Sequence, residues 1–268
     1  MLTGRMPQKR SASRRRARFW IVRRRHLAVI AAVLGAAAIF AAVQAPAAVT
    51  AAAATRQLPI YCVARDQKVC SISFDAAWGA DNTERILDVL DEYGVKATFF
   101  VVGMWAEQYP DTAKLIASRG HEVMNHSSHH DHYNTLSADQ IIQDVTKCNE
   151  TVCALTGTTP TLIRCPYGEY DDHVISAIRS MGMEPVQWDV DSLDWKGIGA
   201  DEITRRVTGK VAPGSIVLFH NAGEHTPEAL PDILRYLIAE GYEIVPISQI
   251  LLSGDYTIDH EGRQHPAE

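Results

Sequence analysis

Val69-Cys-Ser-Ile-Ser-Phe74 and Ala97-Thr-Phe-Phe-Val-Val102 are short apolar runs, and Thr83–Tyr93 between them carries a helical pattern that stops at Gly94, where a C-terminal cap belongs. A strand, a helix of that length and a second strand read as a parallel β-α-β unit. The same alternation continues outward. Further runs lie at Glu122–Met124, Thr161–Arg164, Glu184–Trp188, Ser215–Phe219 and Glu243–Pro246. Helical patterns lie at Asp111–Arg119, Ala138–Leu155, Asp171–Met181, Asp201–Val211 and Pro227–Glu240, with Ser137 and Asp201 as N-caps. Seven strands alternating with six helices predict an α/β protein whose parallel sheet is closed, or nearly closed, into a (β/α) barrel. A short apolar helix, Ile247–Leu252, follows the last strand.

The chain divides by composition. Residues 1–26 carry ten Lys/Arg and no acidic residue, a basic leader expected on the cytoplasmic side. Residues 27–49 hold the unbroken apolar run Leu27–Val43 and predict a single-pass membrane anchor, with a cleaved signal segment as the alternative. Residues 50–68 read as a linker and a leading hairpin whose turn lies near Asp66, which favours a Cys62–Cys70 disulfide. Residues 69–252 form the working domain, expected outside the membrane, and 253–268 a mobile polar tail. All 32 Asp/Glu lie beyond residue 56 against 15 Lys/Arg, a balance of −17. So acidic a domain is a poor nucleic-acid binder and better suited to a neutral substrate or a cationic product.

Asn125-His-Ser-Ser-His-His-Asp-His132 concentrates histidine in a chain with only eleven. His126 and His130 are four apart, so one helical turn would set both imidazoles on one side, suited to a divalent metal. A polar loop of solvated histidines is the alternative reading. His121-Glu122 opens like a His-Glu-x-x-His zinc helix, but the next histidine falls at 126, out of register. In a parallel barrel the active site lies at the C-terminal strand ends. Asp75, the histidine cluster, Arg164-Cys-Pro-Tyr-Gly168, Asp191-Ser-Leu-Asp-Trp195 and Leu218-Phe-His220 all fall there.

Those motifs, in that order, resemble the polysaccharide deacetylase family, whose shared unit is the NodB homology domain, a distorted (β/α) barrel, over about Val69 to Leu252. Ser73-Phe-Asp-Ala76 stands for the family's Thr-Phe-Asp-Asp, His126 to His130 for His-(Ser/Thr)-x-x-His, and Arg164 to Tyr167 for Arg-x-Pro-Tyr. Asp191 to Trp195 matches Asp-Ser-x-Asp-Trp, and Leu218 to His220 matches Leu-x-His. The Phe-Asp-Ala-Ala-Trp-Gly form resembles the sporulation-associated, PdaB-like branch. The resemblance implies a metal-dependent hydrolase that removes N-acetyl groups from an amino-sugar polymer, with cell-wall peptidoglycan as the expected substrate and partner. It implies His126 and His130 as ligands of a divalent metal, zinc first and cobalt or manganese as alternatives. Asp75 is implied as general base, His220 as general acid, Arg164 as the partner that orients Asp75, and Asp191 as the partner that orients His220. Tyr167 would give an oxyanion N–H, and Trp195 and Leu218 would line the acetyl pocket.

Each residue also has a plainer reading: Asp75 as a helix cap, Arg164 with Asp191 as a strand-end ion pair, His220 as a rim histidine, Leu218 and Trp195 as core. His129, His132 and His225 are expected to be solvated or supporting, and Cys165 a buried packing residue. One departure stands out. The family's third metal ligand is the second Asp of Asp-Asp, and here that position is Ala76, which weakens the expected metal site. A non-catalytic glycan-binding protein of the same fold, and an O-acetyl carbohydrate esterase, are therefore the rival functions.

Overall fold

A computed structural model describes residues 56–267. The basic leader, the apolar run and the first part of the linker lie outside the described residues. Among the described residues no helix is long and apolar enough to cross a membrane.

Nineteen elements follow in chain order: β1 (Cys62–Val63), β2 (Val69–Ala76), α1 (Thr83–Glu92), β3 (Thr98–Val101), α2 (Gly103–Gln108), α3 (Pro110–Ser118), β4 (Glu122–Asn125), α4 (Ala138–Thr156), β5 (Leu162–Ile163), α5 (Asp172–Ser180), β6 (Glu184–Pro185), β7 (Val190–Asp191), α6 (Ala200–Thr208), β8 (Ile216–His220), α7 (Thr226–Ala239), β9 (Glu243–Ile244), α8 (Ile247–Ile250), β10 (Tyr256–Ile258) and β11 (Arg263–Pro266). The main sheet runs β6-β5-β4-β3-β2-β8-β7, with β9 added to the start of β2, and every pairing is parallel. All seven runs predicted as strands are strands of this sheet. Its two edge strands, β6 and β7, are consecutive in the chain, so the segment from 184 to 191 serves both edges of the curled sheet. Ile60 bridges Val186 inside that segment.

β2 shows why the sheet forms here. Its side chains alternate, as any strand's must. Ile72, Phe74 and Ala76 enter the apolar layer under the helices, where Phe74 stacks on Phe99 and Phe219 at centroid distances of 4.8 and 5.6 Å. Ser73 and Asp75 face the other way and meet Arg164. Leu87 and Leu90 of α1 and Ile233, Leu234 and Leu237 of α7 complete the layer. α8 closes one end of the curled sheet: the Ile247 N–H donates to Thr98 Oγ1 at 2.8 Å, at the first residue of β3. The opposite, C-terminal strand ends are left for the site.

Helix boundaries follow local chemistry. Ser137 caps α4 through a reciprocal box with Gln140. Asp201, expected as a cap, sits instead in the first turn of α6 behind Gly199, where its charge still suits the helix N-terminus. Gly94 and Gly120 take φ of 66° and 79°, the left-handed cap conformation that their positions after helices demand.

Three expectations are corrected. Residues 253–268 are not a loose tail: β10 and β11 form an antiparallel pair, and β11 lies parallel to β1 in a separate three-stranded sheet. Asp259 makes the turn, its Oδ1 accepting from Glu261 and Arg263 N–H, and buried Gln264 accepts from Leu252 N–H. The leading hairpin is absent because β1 pairs with β11, and Cys62 bridges Ser215, rather than meeting β2. Cys62 and Cys70 are accordingly free thiols, and burial pushes them up to about 11 and about 12. The short helix α2 was not expected; it follows directly on β3.

Phe74→Ala should cost about 3–5 kcal/mol of stability, because it removes the ring at the centre of the helix-facing layer. Chemical denaturation of the two proteins measures it.

Candidate active site

Asp75 is the penultimate residue of β2 and is nearly buried, and its Oδ1 accepts from Arg164 Nη1 at 2.7 Å. Arg164 is wholly buried at the end of β5. Its Nη2 donates to Ser73 Oγ and to the Gln187 carbonyl, and its plane lies over Phe100 at 4.2 Å, with Trp188 at 5.5 Å. Burial alone would raise the Asp75 carboxyl, but Arg164, His126 and His220 outweigh it and hold Asp75 below the usual carboxylate range. The anion persists at neutral pH.

His126 and His130 come together, with ring centroids 4.9 Å apart, but not on a helix. They stand on a loop whose Ser127 and His130 have φ of 72° and 60°. The loop is held in that conformation from three sides. Asn125 Oδ1 accepts from Ser127 N–H, the Asp144 carboxylate accepts from Ser128 N–H, and Gly103 and Met104 N–H donate to the Ser127 and Ser128 carbonyls. A side chain at Gly103 would press on Ser128 Cα at 3.2 Å, so the loop runs tight against that glycine.

His126 Nδ1 donates to the Arg164 carbonyl at 2.7 Å, which leaves Nε2 unprotonated and 3.6 Å from Asp75 Oδ2. His130 Nδ1 is buried with no partner. Burial depresses both imidazoles, His130 to about 4, so both are neutral at physiological pH. Two neutral, close-set imidazoles, one oriented through its far nitrogen, fit a divalent metal. Ala76 adds no third donor: it is fully buried in the helix-facing layer. His129, Asp131 and Asp144 also bring ligand atoms within 4.8 Å of one another. His129 and Asp131 are exposed, however, and Asp144 already serves Ser128, Tyr133 and His129.

His220 ends β8 opposite, and its partner is a correction. Asp194, not Asp191, accepts from His220 Nδ1, at 2.8 Å through Oδ1. Asp194 Oδ2 also takes the His220 backbone N–H and Thr226 Oγ1. Asp191 Oδ1 instead accepts from Leu193 N–H at 2.8 Å. That bond shapes the turn, with Leu193 at φ 57°, that swings Asp194 inward. Gly223 packs so closely on this pair that a Cβ there would overlap Thr226 Oγ1 and the Asp194 carboxylate. Burial lowers the His220 pKa, but the Asp194 hydrogen bond and charge, then Asp75 and Asp191, leave it raised above the ordinary value.

These groups line one cavity of about 600 Å³. Asp75, His126, His130, Tyr167, Asp191, Trp195, Leu218 and His220, all predicted, lie on its wall, and Arg164 lies behind it. Leu218 is buried, whereas Trp195 is exposed at the rim. Tyr167 stands at φ 59° with its ring stacked on His132 at 4.2 Å and edge-on to His130. Ser127, His130, Tyr167 and Leu193 are the non-glycine residues with positive φ among those described, and all belong to the site loops. Each such conformation costs about 1–3 kcal/mol and clusters where function demands it. Asp194, Trp78, Trp188 and Glu224 also line the cavity and were not picked out from sequence. Asp194 was visible as the second acid of Asp191-Ser-Leu-Asp194; the left-handed turn that selects it was not. Cys165 is buried, its thiol pushed up to about 12, as a packing residue.

A carboxylate facing two imidazoles, across a cavity from a third imidazole whose pKa is raised by Asp194, has the parts of an acid–base hydrolytic site. The family model described as polysaccharide deacetylase matches residues 63–186. The chain is 36% identical over 181 residues to the peptidoglycan-N-acetylglucosamine deacetylase of Bacillus cereus, covering 66% of each chain. It is 34% identical over 185 residues to the peptidoglycan-N-acetylmuramic acid deacetylase PdaC of Bacillus subtilis, covering 69% of this chain and 39% of that one. Among solved structures it superposes on BA3943, a CE4 family pseudoenzyme from Bacillus anthracis, with TM-score 0.70, 34% identity, and coverage of 72% and 68%. A BA3943 mutant with restored enzymatic activity superposes equally well, at TM-score 0.70. The chain belongs to the polysaccharide deacetylase family.

Asp194→Asn should move the alkaline limb of the activity–pH profile to lower pH, because the largest contribution that raises His220 is gone. Asp191→Asn should move it far less. Profiles of the two variants beside the parent decide which carboxylate supports His220.

Proposed function

We propose that this protein is a metal-dependent deacetylase that removes N-acetyl groups from peptidoglycan at the outer face of the cell membrane. The observation that carries the reading is the facing of two finished pairs, Asp75 with Arg164 and His220 with Asp194, across one cavity. His126 and His130 hold the metal, zinc in the first instance, which supplies Lewis acidity toward an amide carbonyl and a water. Asp75, anionic and fixed by Arg164, takes the proton of the attacking water. His220 carries its own proton on Nε2 and gives it to the departing sugar nitrogen, so that the amine leaves neutral. Leu218 receives the acetyl methyl, and the Tyr167 N–H donates to the oxyanion. The apolar run at Leu27–Val43 serves as the anchor, or as a signal segment removed on secretion, and the first-motif sequence suits the sporulation-associated branch.

Likeness to a pseudoenzyme and the missing carboxylate at Ala76 favour one alternative, a glycan-binding protein without chemistry. Against it stand Asp75 and His220, whose separate partners shift the carboxyl down and the imidazole up, an arrangement a binding cleft has no physical reason to build.

Acetate release from peptidoglycan by the full chain decides between them. The parent should release acetate in a chelator-sensitive way, and Asp75→Asn and His126→Ala should each lose roughly 10²-fold or more. Glycan binding without acetate, in metal-loaded parent protein, would establish the non-catalytic reading instead.

A further inference from the structure

His126 and His130 are held in place by different means. His126 Nδ1 donates to the Arg164 carbonyl at 2.7 Å, and that bond sets its ring plane. Histidines that bind a metal ordinarily owe their orientation to such a bond. His130 Nδ1 has none, although it is buried. What surrounds the His130 ring is aromatic. Tyr167, Trp78 and His126 meet it edge-to-face, at centroid distances of 4.4, 4.8 and 4.9 Å and interplanar angles of 70°, 69° and 71°.

Neighbouring rings can fix an imidazole only if they are fixed themselves. Tyr167 has its face on His132, whose Nδ1 meets Glu169 Oε2 at 3.0 Å. Trp78 is held through the backbone of the next residue. The Gly79 carbonyl accepts from Trp105 Nε1 at 2.6 Å and from Asn221 Nδ2 at 2.8 Å. Trp105 and Asn221 are both buried, and the Asn221 N–H also donates to the Asp75 carbonyl. Trp78 therefore stands on a backbone tied at once to α2 and to the end of β8. Its indole is nevertheless 63% exposed, so core packing does not account for so firm a mounting. The indole's ring contact is with His130. Two residues before it stands Ala76, which brings no donor. With only two imidazoles, affinity depends on how far both are set beforehand, because a ring left free to turn must be ordered when the metal binds.

Resting on the metal-dependent reading above, we infer that Trp78 is a positioning residue for the metal. Its indole, braced by the Gly79 carbonyl, holds the His130 ring in its binding orientation in place of the hydrogen bond that His130 Nδ1 lacks.

The test titrates zinc into the metal-free full chain in competition with a chromophoric chelator, with circular dichroism to check that each variant is folded. The parent should bind zinc, and His126→Ala should lose it. Trp78→Ala should weaken the affinity about tenfold or more. Trp78→Phe, which returns a ring to the face of His130, should recover most of that loss. Trp78→Ala that holds zinc as tightly as the parent would overturn the inference, even if it binds glycan more weakly, and would leave Trp78 a sugar platform alone. Trp78→Phe as weak as Trp78→Ala would overturn it as well. A parent that binds no zinc, or whose zinc is indifferent to His126→Ala, would overturn the metal-dependent reading itself, and the inference with it.

Discussion

The buried ion pair between Asp75 and Arg164 sets the terms for everything around it. A guanidinium with no exposed surface has no water to solvate it, and breaking such a pair by removing one partner costs about 3–5 kcal/mol. Here the protein surrounds the cation with a carboxylate, a serine hydroxyl, a carbonyl and two aromatic faces. The partners come from three separate parts of the sheet. Asp75 and Ser73 come from β2, Phe100 from β3, and Gln187 and Trp188 from the segment joining β6 to β7. Satisfying one buried cation thus fixes the relative register of half the curled sheet. The same residue's carbonyl receives His126 Nδ1, so the pair also decides which imidazole nitrogen is free.

Much of this was legible in the sequence, for reasons that can be located. The parallel strands declare themselves because the central ones, β2, β3 and β8, are buried on both faces and read as apolar runs between helical patterns. Asp75, Arg164 and His220 were visible because a charged residue at the end of an apolar strand has few structural reasons to be there. What stayed hidden depends on backbone turns. Asp191 and Asp194 are equally acidic and three apart, and only the left-handed Leu193 shows that one shapes the turn while the other reaches His220. The four-residue spacing of His126 and His130 suggested a helix, yet bonds from Asn125, Asp144 and α2 bend the loop to bring the rings together another way. β10 and β11 read as a tail because half-exposed polar strands leave no apolar run.

The loop conformations and the fixed pairs belong to one economy of strain. Four non-glycine residues in the left-handed region, at about 1–3 kcal/mol each, represent a sizeable fraction of a domain's net stability. They persist because their neighbours are over-determined: Ser127 between Asn125 and Gly103, Leu193 between Asp191 and the His220–Asp194–Thr226 chain. The rigid sheet beneath supplies the stability that the rim gives up. A site built this way holds its groups in position before any substrate arrives, which is what acid–base chemistry on a poor electrophile requires.

Asp75 and His220 also act on each other. Each is among the charges that shift its partner: His220 helps hold Asp75 anionic, and Asp75 helps keep His220 protonated. Their separate partners push the same way, Arg164 on the carboxylate and Asp194 on the imidazole. The two titrations are therefore driven apart, and the pH range in which a base and an acid coexist is wider than either would have alone. His126 and His130 move in the opposite sense to His220, because burial depresses them and no carboxylate reaches them as closely as Asp194 reaches His220. Three imidazoles in one cavity thus divide into two shifted toward the neutral form and one shifted toward the protonated form. The division follows from a single difference: a carboxylate in hydrogen-bond contact with His220 Nδ1, against a carbonyl at His126 Nδ1 and nothing at His130 Nδ1.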